Sequence, residues 1–238
     1  MKMKTAITAS LLTSALLCQV SALQAQPTML EIDFADVQAP WQMGFADYPM
    51  SDDANEFYEL NHAVGPLPEP LQQHRGLYVH GRNNSGDLFM FSHQPLSGLK
   101  PNHNYQVNIR VIFATNTPYG CAGIGGAPGE HVFVKAGISE HLPEVFINDY
   151  GWYQVNVDIG KHDLSGEQVK VIGDIANSQH CDSNDGRYEM KSVMTQQPIH
   201  FTSNDDGNAW ILLGTDALYE SWIQLYYVKA LIELTEQD

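Results

Sequence analysis

The stretch NYQVNIRVIF, residues 104–113, alternates polar and apolar side chains from Asn104 to Val111. Tyr105, Val107, Ile109, Val111 and Phe113 share one face, and Gln106, Asn108 and Arg110 share the other. A period of two residues specifies a half-buried antiparallel strand and cannot be wrapped into one face of a helix. WYQVNVDIG, residues 152–160, repeats the pattern, with Tyr153, Val155, Val157 and Ile159 opposed to Gln154, Asn156 and Asp158. Further strand candidates are MLEIDFA, GLYVHGR, DLFMFSH, EHVFVKAG, EQVKVIGDI, PIHFTS, NAWILLG and SWIQLYYVKALIEL. Turn signals such as PLSGLKPN, GKHDLSGE, NDG and NDDGN separate them. No stretch sustains an apolar stripe at helical spacing over three turns. The pattern predicts an all-β chain: one antiparallel β-sandwich of jelly-roll type with about ten strands, a single domain over residues 26–238, and a long loop at Pro66–His74.

Lys2 and Lys4 precede the short apolar run TAITASLLTSALLCQVSALQA, which ends in small residues, the order of a secretory signal peptide over residues 1–25. Cleavage after Ala25 or Ala22 is expected. Its uninterrupted apolar part is well under the ~20 residues of a membrane span. Leu17 before Cys18 is bulky where a lipoprotein signal carries a small residue, so a periplasmic or secreted protein is expected in preference to a lipoprotein. The chain has 12 basic against 28 acidic residues, a formal charge of −16. Such a field disfavours nucleic acid and anionic membranes, and leaves cations and neutral glycans open as partners.

Beyond the leader only Cys121 and Cys181 remain. In an oxidising compartment they read as one disulfide; a metal site is the rival, but only His180 adjoins either cysteine and no Cys-x-x-Cys occurs.

The segments SGLKPNHNY before a long alternating strand, EIDF leading to a tryptophan, and the closing LYYVKALIEL together resemble galactose-binding-like jelly rolls, the group that holds many carbohydrate-binding modules. The resemblance implies a glycan ligand. It also implies a structural calcium held by acids of the first and last strands, which here nominates Asp33, Asp216 and Glu220. Gly-Leu-x-Pro before a tyrosine also occurs in fibronectin-type sandwiches, but a single domain of that type is too small for this length.

Four local motifs bear on chemistry. GCAGIGGAPGE, residues 120–130, is dense in glycine, yet the third position of a dinucleotide fingerprint falls on Pro128 and a β-prone HVFV follows instead of a helix. Its glycines read as positive-φ positions in a loop between strands. EIDFAD, residues 31–36, resembles the Glu-x-Asp-x-x-Glu strand of laminarinase-like hydrolases, with Asp36 in place of the last glutamate. A polysaccharide hydrolase or lyase using those carboxylates is the enzymatic alternative; solvated acids on an edge strand are the other reading. CDSNDG and SNDDGN cluster oxygen ligands around a glycine, as calcium loops do and as plain turns do. Trp41, Tyr119, Tyr150 and Trp152 adjoin loops and are the candidates for a sugar-stacking platform, or else edges of the core. The sequence is read as an exported, noncatalytic, carbohydrate-binding β-sandwich with no catalytic residue assigned, with a structural envelope protein as a further alternative.

Overall fold

The computed structural model describes residues 26–39 and 41–237. The expected leader and Cys18 lie outside the described residues. In chain order the strands are β1 (Thr28–Asp33), β2 (Gln42–Ala46), β3 (Tyr48–Pro49), β4 (Asn61–Pro66) and β5 (Arg75–Arg82). Then come β6 (Leu88–Ser97), β7 (Asn104–Thr115), β8 (Val132–Ser139), β9 (Val145–Ile147) and β10 (Trp152–Val155). The last five are β11 (Val169–Asp174), β12 (Glu189–Met194), β13 (Ile199–Thr202), β14 (Asn208–Ala217) and β15 (Trp222–Glu236).

These fifteen strands form the expected antiparallel two-sheet sandwich, with more and shorter strands than the ten the turn signals delimit. A seven-stranded sheet runs β12-β7-β15-β5-β4, with β1 beside β15 and β13 beside β7. A five-stranded sheet runs β11-β8-β14-β6-β2, and a three-stranded sheet runs β3-β10-β9. Every pairing is antiparallel.

The main core lies between the two large sheets. Alternation along β7 sends Tyr105, Val107, Ile109, Val111 and Phe113 into it, and Val132, Val134, Ala136 and Ile138 of β8 meet them from the other side. The outer face of the five-stranded sheet is also buried. Phe89 and Phe91 of β6, Leu212 of β14 and Val169 of β11 form a second apolar cluster there with Val157 and Ile159. This explains why DLFMFSH reads as an unbroken apolar run: a strand covered on both faces has no solvent side to alternate with.

The cover is the stretch expected to be the second half of a strand. β10 stops at Val155, and residues 156–168 continue as an irregular strap across the outer face. The alternation of NVDIG is an alternation of burial, Val157 and Ile159 in and Asn156 and Asp158 out, without a full ladder of partners. Burying those two side chains contributes roughly 1.5–3 kcal/mol each.

Candidate functional site

Two places on the molecule concentrate groups able to bind something. The first is the β9–β10 hairpin. Tyr153 pairs with Ile147 and with Tyr48, and its ring packs on the Tyr48 ring at 4.8 Å; Val155 joins the second cluster. Side chains of Trp152 and Gln154 therefore point the other way, outward, and Phe146, directly opposite Gln154, shares that face. Phe146 is 45% exposed and Tyr150, at the turn, 88%. The Asn148 carboxamide oxygen accepts from the backbone N–H groups of Tyr150 (2.9 Å) and Trp152 (3.0 Å), which locks the turn. Its Nδ2 donates to Gln154 Oε1 at 3.0 Å. Gln154 is thereby held in place with its own N–H groups directed to no partner among the described residues. The outward side of the hairpin thus carries the Phe146 and Trp152 side chains with a positioned amide, over a packed underside.

The second place lies beneath the strap. Lys135 and Asp216 project from the outer faces of β8 and β14, and Lys135 Nζ donates to Asp216 Oδ2 at 2.8 Å with side-chain exposures of 0% and 1%. The same ammonium donates to the carbonyls of Ile159 (2.8 Å) and Leu164 (3.2 Å), and Asp216 Oδ2 also accepts from the His162 N–H at 2.9 Å. One ion pair thus fastens three points of the strap to the sheet. Asp216 Oδ1 is buried with no hydrogen-bond partner.

Next to it, His162 Nε2 lies 3.0 Å from Asp87 Oδ1 and 2.9 Å from the Gly86 carbonyl. Both neighbours are acceptors, so Nε2 carries a proton. Lys161 Nζ stands 3.2 Å from Asp87 Oδ2. Asp87, His162 and Asp216 present ligand atoms that all lie within 4.8 Å of one another, a possible metal-ligand group. A third carboxyl, Asp47, is pushed up to about 7, first by burial and then by the negative charges of Asp87 and Asp216. Burial also raises Asp216, opposed by Lys135.

The residues singled out from the sequence are distributed as follows. Tyr150 and Trp152 share the hairpin. Trp41 is half-buried, its ring 6.2 Å from Phe34 and its indole nitrogen enclosed without a partner. Tyr119 is 44% exposed and meets His180 edge-on at 5.1 Å. Of the three acids nominated for calcium, Asp216 alone belongs to the metal-ligand group found among the described residues. Asp33 sits on β1 in the other sheet and caps the Ala35 N–H at 2.9 Å, and Glu220 is exposed beside Gly86. In EIDFAD, Glu31 pairs with Lys229 at 2.5 Å and Asp36 caps the Gln38 N–H. The oxygen-rich turns spend oxygens on their own backbones: Asn184 on Gly186, Asp185 on Arg187, and Asn204 on Asp206 and Asn208.

Cys121 and Cys181 are bonded, Cα atoms 5.1 Å apart. The bond pins the glycine-rich loop to a turn that begins at Cys181, and the loop docks on residues 218–220: the Glu220 N–H donates to Ile124 O at 2.9 Å. Gly120, Gly125 and Gly126 take positive φ in this loop, as expected from the sequence. A cavity of about 440 Å³ opens elsewhere, lined by Leu30, Leu99, Tyr105, Thr28, Ser97 and Glu236 among others, and the Glu236 carboxylate in it is engaged by Lys100 at 2.5 Å. Among the described residues no helix is long and apolar enough to cross a membrane.

Phe146, Gln154, Asp87, His162, Lys135 and Asp47 were not singled out from the sequence. Gln154 appears there only on the polar face of WYQVNVDIG, and Lys135 only as the one charge inside the apolar run HVFVKAG.

No family model and no curated protein matches the chain. Among solved structures it is similar to the CBM22-1 xylan-binding domain of Paenibacillus barcinonensis Xyn10C, at 12% identity over 89% of this chain and 96% of that one, TM-score 0.34. It is similar to the CBM22-1 and GH10 modules of Clostridium thermocellum xylanase 10B complexed with xylohexaose, at 10% identity over 90% of this chain, TM-score 0.34; the chain spans 28% of that structure. It is also similar to a cyclase from Fischerella sp. TAU, at 15% identity over 88% of this chain and all of that one, TM-score 0.35. Carbohydrate-binding modules and sugar-binding β-sandwiches thus stand among its structural neighbours, at low identity.

Proposed function

We propose that this protein is an exported, noncatalytic carbohydrate-binding β-sandwich whose platform is the outward face of the β9–β10 hairpin. The observation that carries the reading is the combination on that face: the exposed ring of Phe146 and the half-buried ring of Trp152 beside the Gln154 amide, which Asn148 holds at 3.0 Å. A pyranose presents a flat patch of C–H groups and a rim of hydroxyls. Aromatic rings take the first and a fixed amide takes the second, at little entropic cost because neither has to be ordered on binding. Tyr150, fully outside the packed underside, extends the platform along a chain of sugar units. The disulfide supports residence in an oxidising compartment.

The test is a glycan array of the purified chain followed by calorimetry on the best ligand. Trp152→Ala and Phe146→Ala are expected to abolish binding while leaving the melting temperature within a few degrees, since both side chains are on the solvent side of the hairpin. An array without hits, or full binding by Trp152→Ala, overturns the reading.

A further inference from the structure

We propose that Asp87, His162 and Asp216 form a binding site for one divalent transition-metal ion, of the zinc or manganese class, which locks the strap to the sheet. Two independent observations lead to it. The ligand atoms of these three side chains lie within 4.8 Å of one another although they come from three separate stretches of chain: the turn into β6, the strap and β14. And Asp216, 1% exposed, carries a buried carboxylate oxygen, Oδ1, with no hydrogen-bond partner. A carboxylate oxygen taken out of water and left unpaired costs on the order of 1–3 kcal/mol, a cost that a bound cation removes.

The two ammonium groups do not use up the site. Lys135 occupies Asp216 Oδ2 and Lys161 occupies Asp87 Oδ2. The remaining oxygens are Asp216 Oδ1, which has nothing, and Asp87 Oδ1, which has the proton on His162 Nε2 at 3.0 Å. A metal ion takes the place of that proton. The Nε2 lone pair then binds the ion, and the displaced proton goes to solvent when the ring was cationic or is replaced by one on Nδ1 when it was neutral. The Gly86 carbonyl, 2.9 Å from Nε2, is a neighbouring oxygen available to the same ion. An imidazole with two carboxylates suits zinc or manganese; calcium and magnesium prefer all-oxygen shells. This shares only Asp216 with the calcium set expected from the sequence and differs from it in ion.

The consequence of occupancy is mechanical. The strap is fastened to the sheet through Lys135 and Asp216, and the ion adds a second fastening through the His162 ring, at the same end. It stabilises the folded chain by RT ln(1 + [M]/Kd).

The experiment uses the full exported chain stripped with chelator and titrated with zinc, manganese, calcium and magnesium chlorides, with calorimetry and melting temperature as readouts and no glycan present. One zinc or manganese ion per chain is expected, together with a rise in melting temperature. Asp216→Asn strands the buried Lys135 and is a poor probe, so the test rests on His162→Gly, which suits the φ of +51° at that position, and on Asp87→Asn. Each is expected to weaken the affinity by about tenfold or more, while His74→Ala leaves it unchanged. Absence of 1:1 binding by wild type, affinity unchanged in both His162→Gly and Asp87→Asn, or binding of calcium alone overturns the proposal. Because no sugar enters the measurement, its failure is separate from any failure of glycan binding.

Discussion

Lys135 and Asp216 meet at 2.8 Å on the outer face of a β-sheet, a surface that in a sandwich ordinarily faces water, and neither side chain is reached by solvent. Breaking such a pair from one side leaves a buried charge uncompensated, which costs about 3–5 kcal/mol. Lys135→Met should cost that much, and the Ile159 and Leu164 carbonyls lose their donor with it. Lys135→Met combined with Asp216→Leu should cost less than the sum of the two single changes, a coupling of about 1–3 kcal/mol. Urea denaturation of the four proteins closes this cycle. Limited proteolysis should cut Lys135→Met first within residues 160–166; cleavage there at the wild-type rate contradicts the fastening.

The Asp47 carboxyl ordinarily titrates near 3.8 and is pushed up to about 7 in the fold. Between those values the folded chain holds a proton that the unfolded chain has released. The contribution to stability is therefore full below about 4 and is lost as the pH rises through 7, up to about 4 kcal/mol in all. Asp47→Asn mimics the protonated form at every pH. In chelator, the variant should be clearly more stable than wild type at pH 8, less so at pH 5, and nearly equal to it only at about pH 4 and below. Equal stabilities at pH 8 would falsify the assignment.

Two glycines separate close approach from mere backbone freedom. Gly125 has φ +74°, and a Cβ there would stand 2.2 Å from the Leu218 carbonyl oxygen; Gly98 has φ +81° and open space around it. Gly98→Ala should cost about 1 kcal/mol for the left-handed conformation alone. Gly125→Ala should cost roughly 2–4 kcal/mol, because the loop must also lift from residues 218–220. Melting temperatures of the two variants give the comparison, and equal losses would remove the docking argument.

The Cys121–Cys181 bond closes a separation of 60 residues. Cys121→Ser with Cys181→Ser should lower stability by on the order of 4 kcal/mol through the larger freedom of the unfolded chain. The denatured wild type should show no titratable thiol from these two cysteines before reduction.

Strands were legible wherever one face meets core and the other meets water, as in NYQVNIRVIF, because the pleat imposes that contrast on the sequence. The architecture followed from turn residues, and the disulfide from the count of cysteines. The strap was misread as strand because Val157 and Ile159 alternate for the same reason strand residues do, burial on one side, while the absence of ladder partners is a tertiary fact. Trp152 and Tyr150 could be named from their place beside a turn, but Phe146 and Gln154 acquire their role only through the register of β9 against β10. The Asp87–His162–Asp216 group escaped notice because its members are drawn from three distant segments with no fixed spacing. His162 belongs to GKHDLSGE, which reads as a turn and is one, and its ring chemistry depends on what the turn is laid against.

β15 pairs with β1, β5 and β7, so that Thr28 faces Leu234 across the ladder while Tyr227 faces Leu77 and Phe113. Until those fifteen residues arrive, β5 and β7 have open edges and the larger sheet has no centre. Chains whose key pairings are this distant fold on the millisecond-to-second scale or slower, since loop closure precedes any reward. Refolding of this protein should therefore be slow and concentration-sensitive, with exposed strand edges as the species that aggregates.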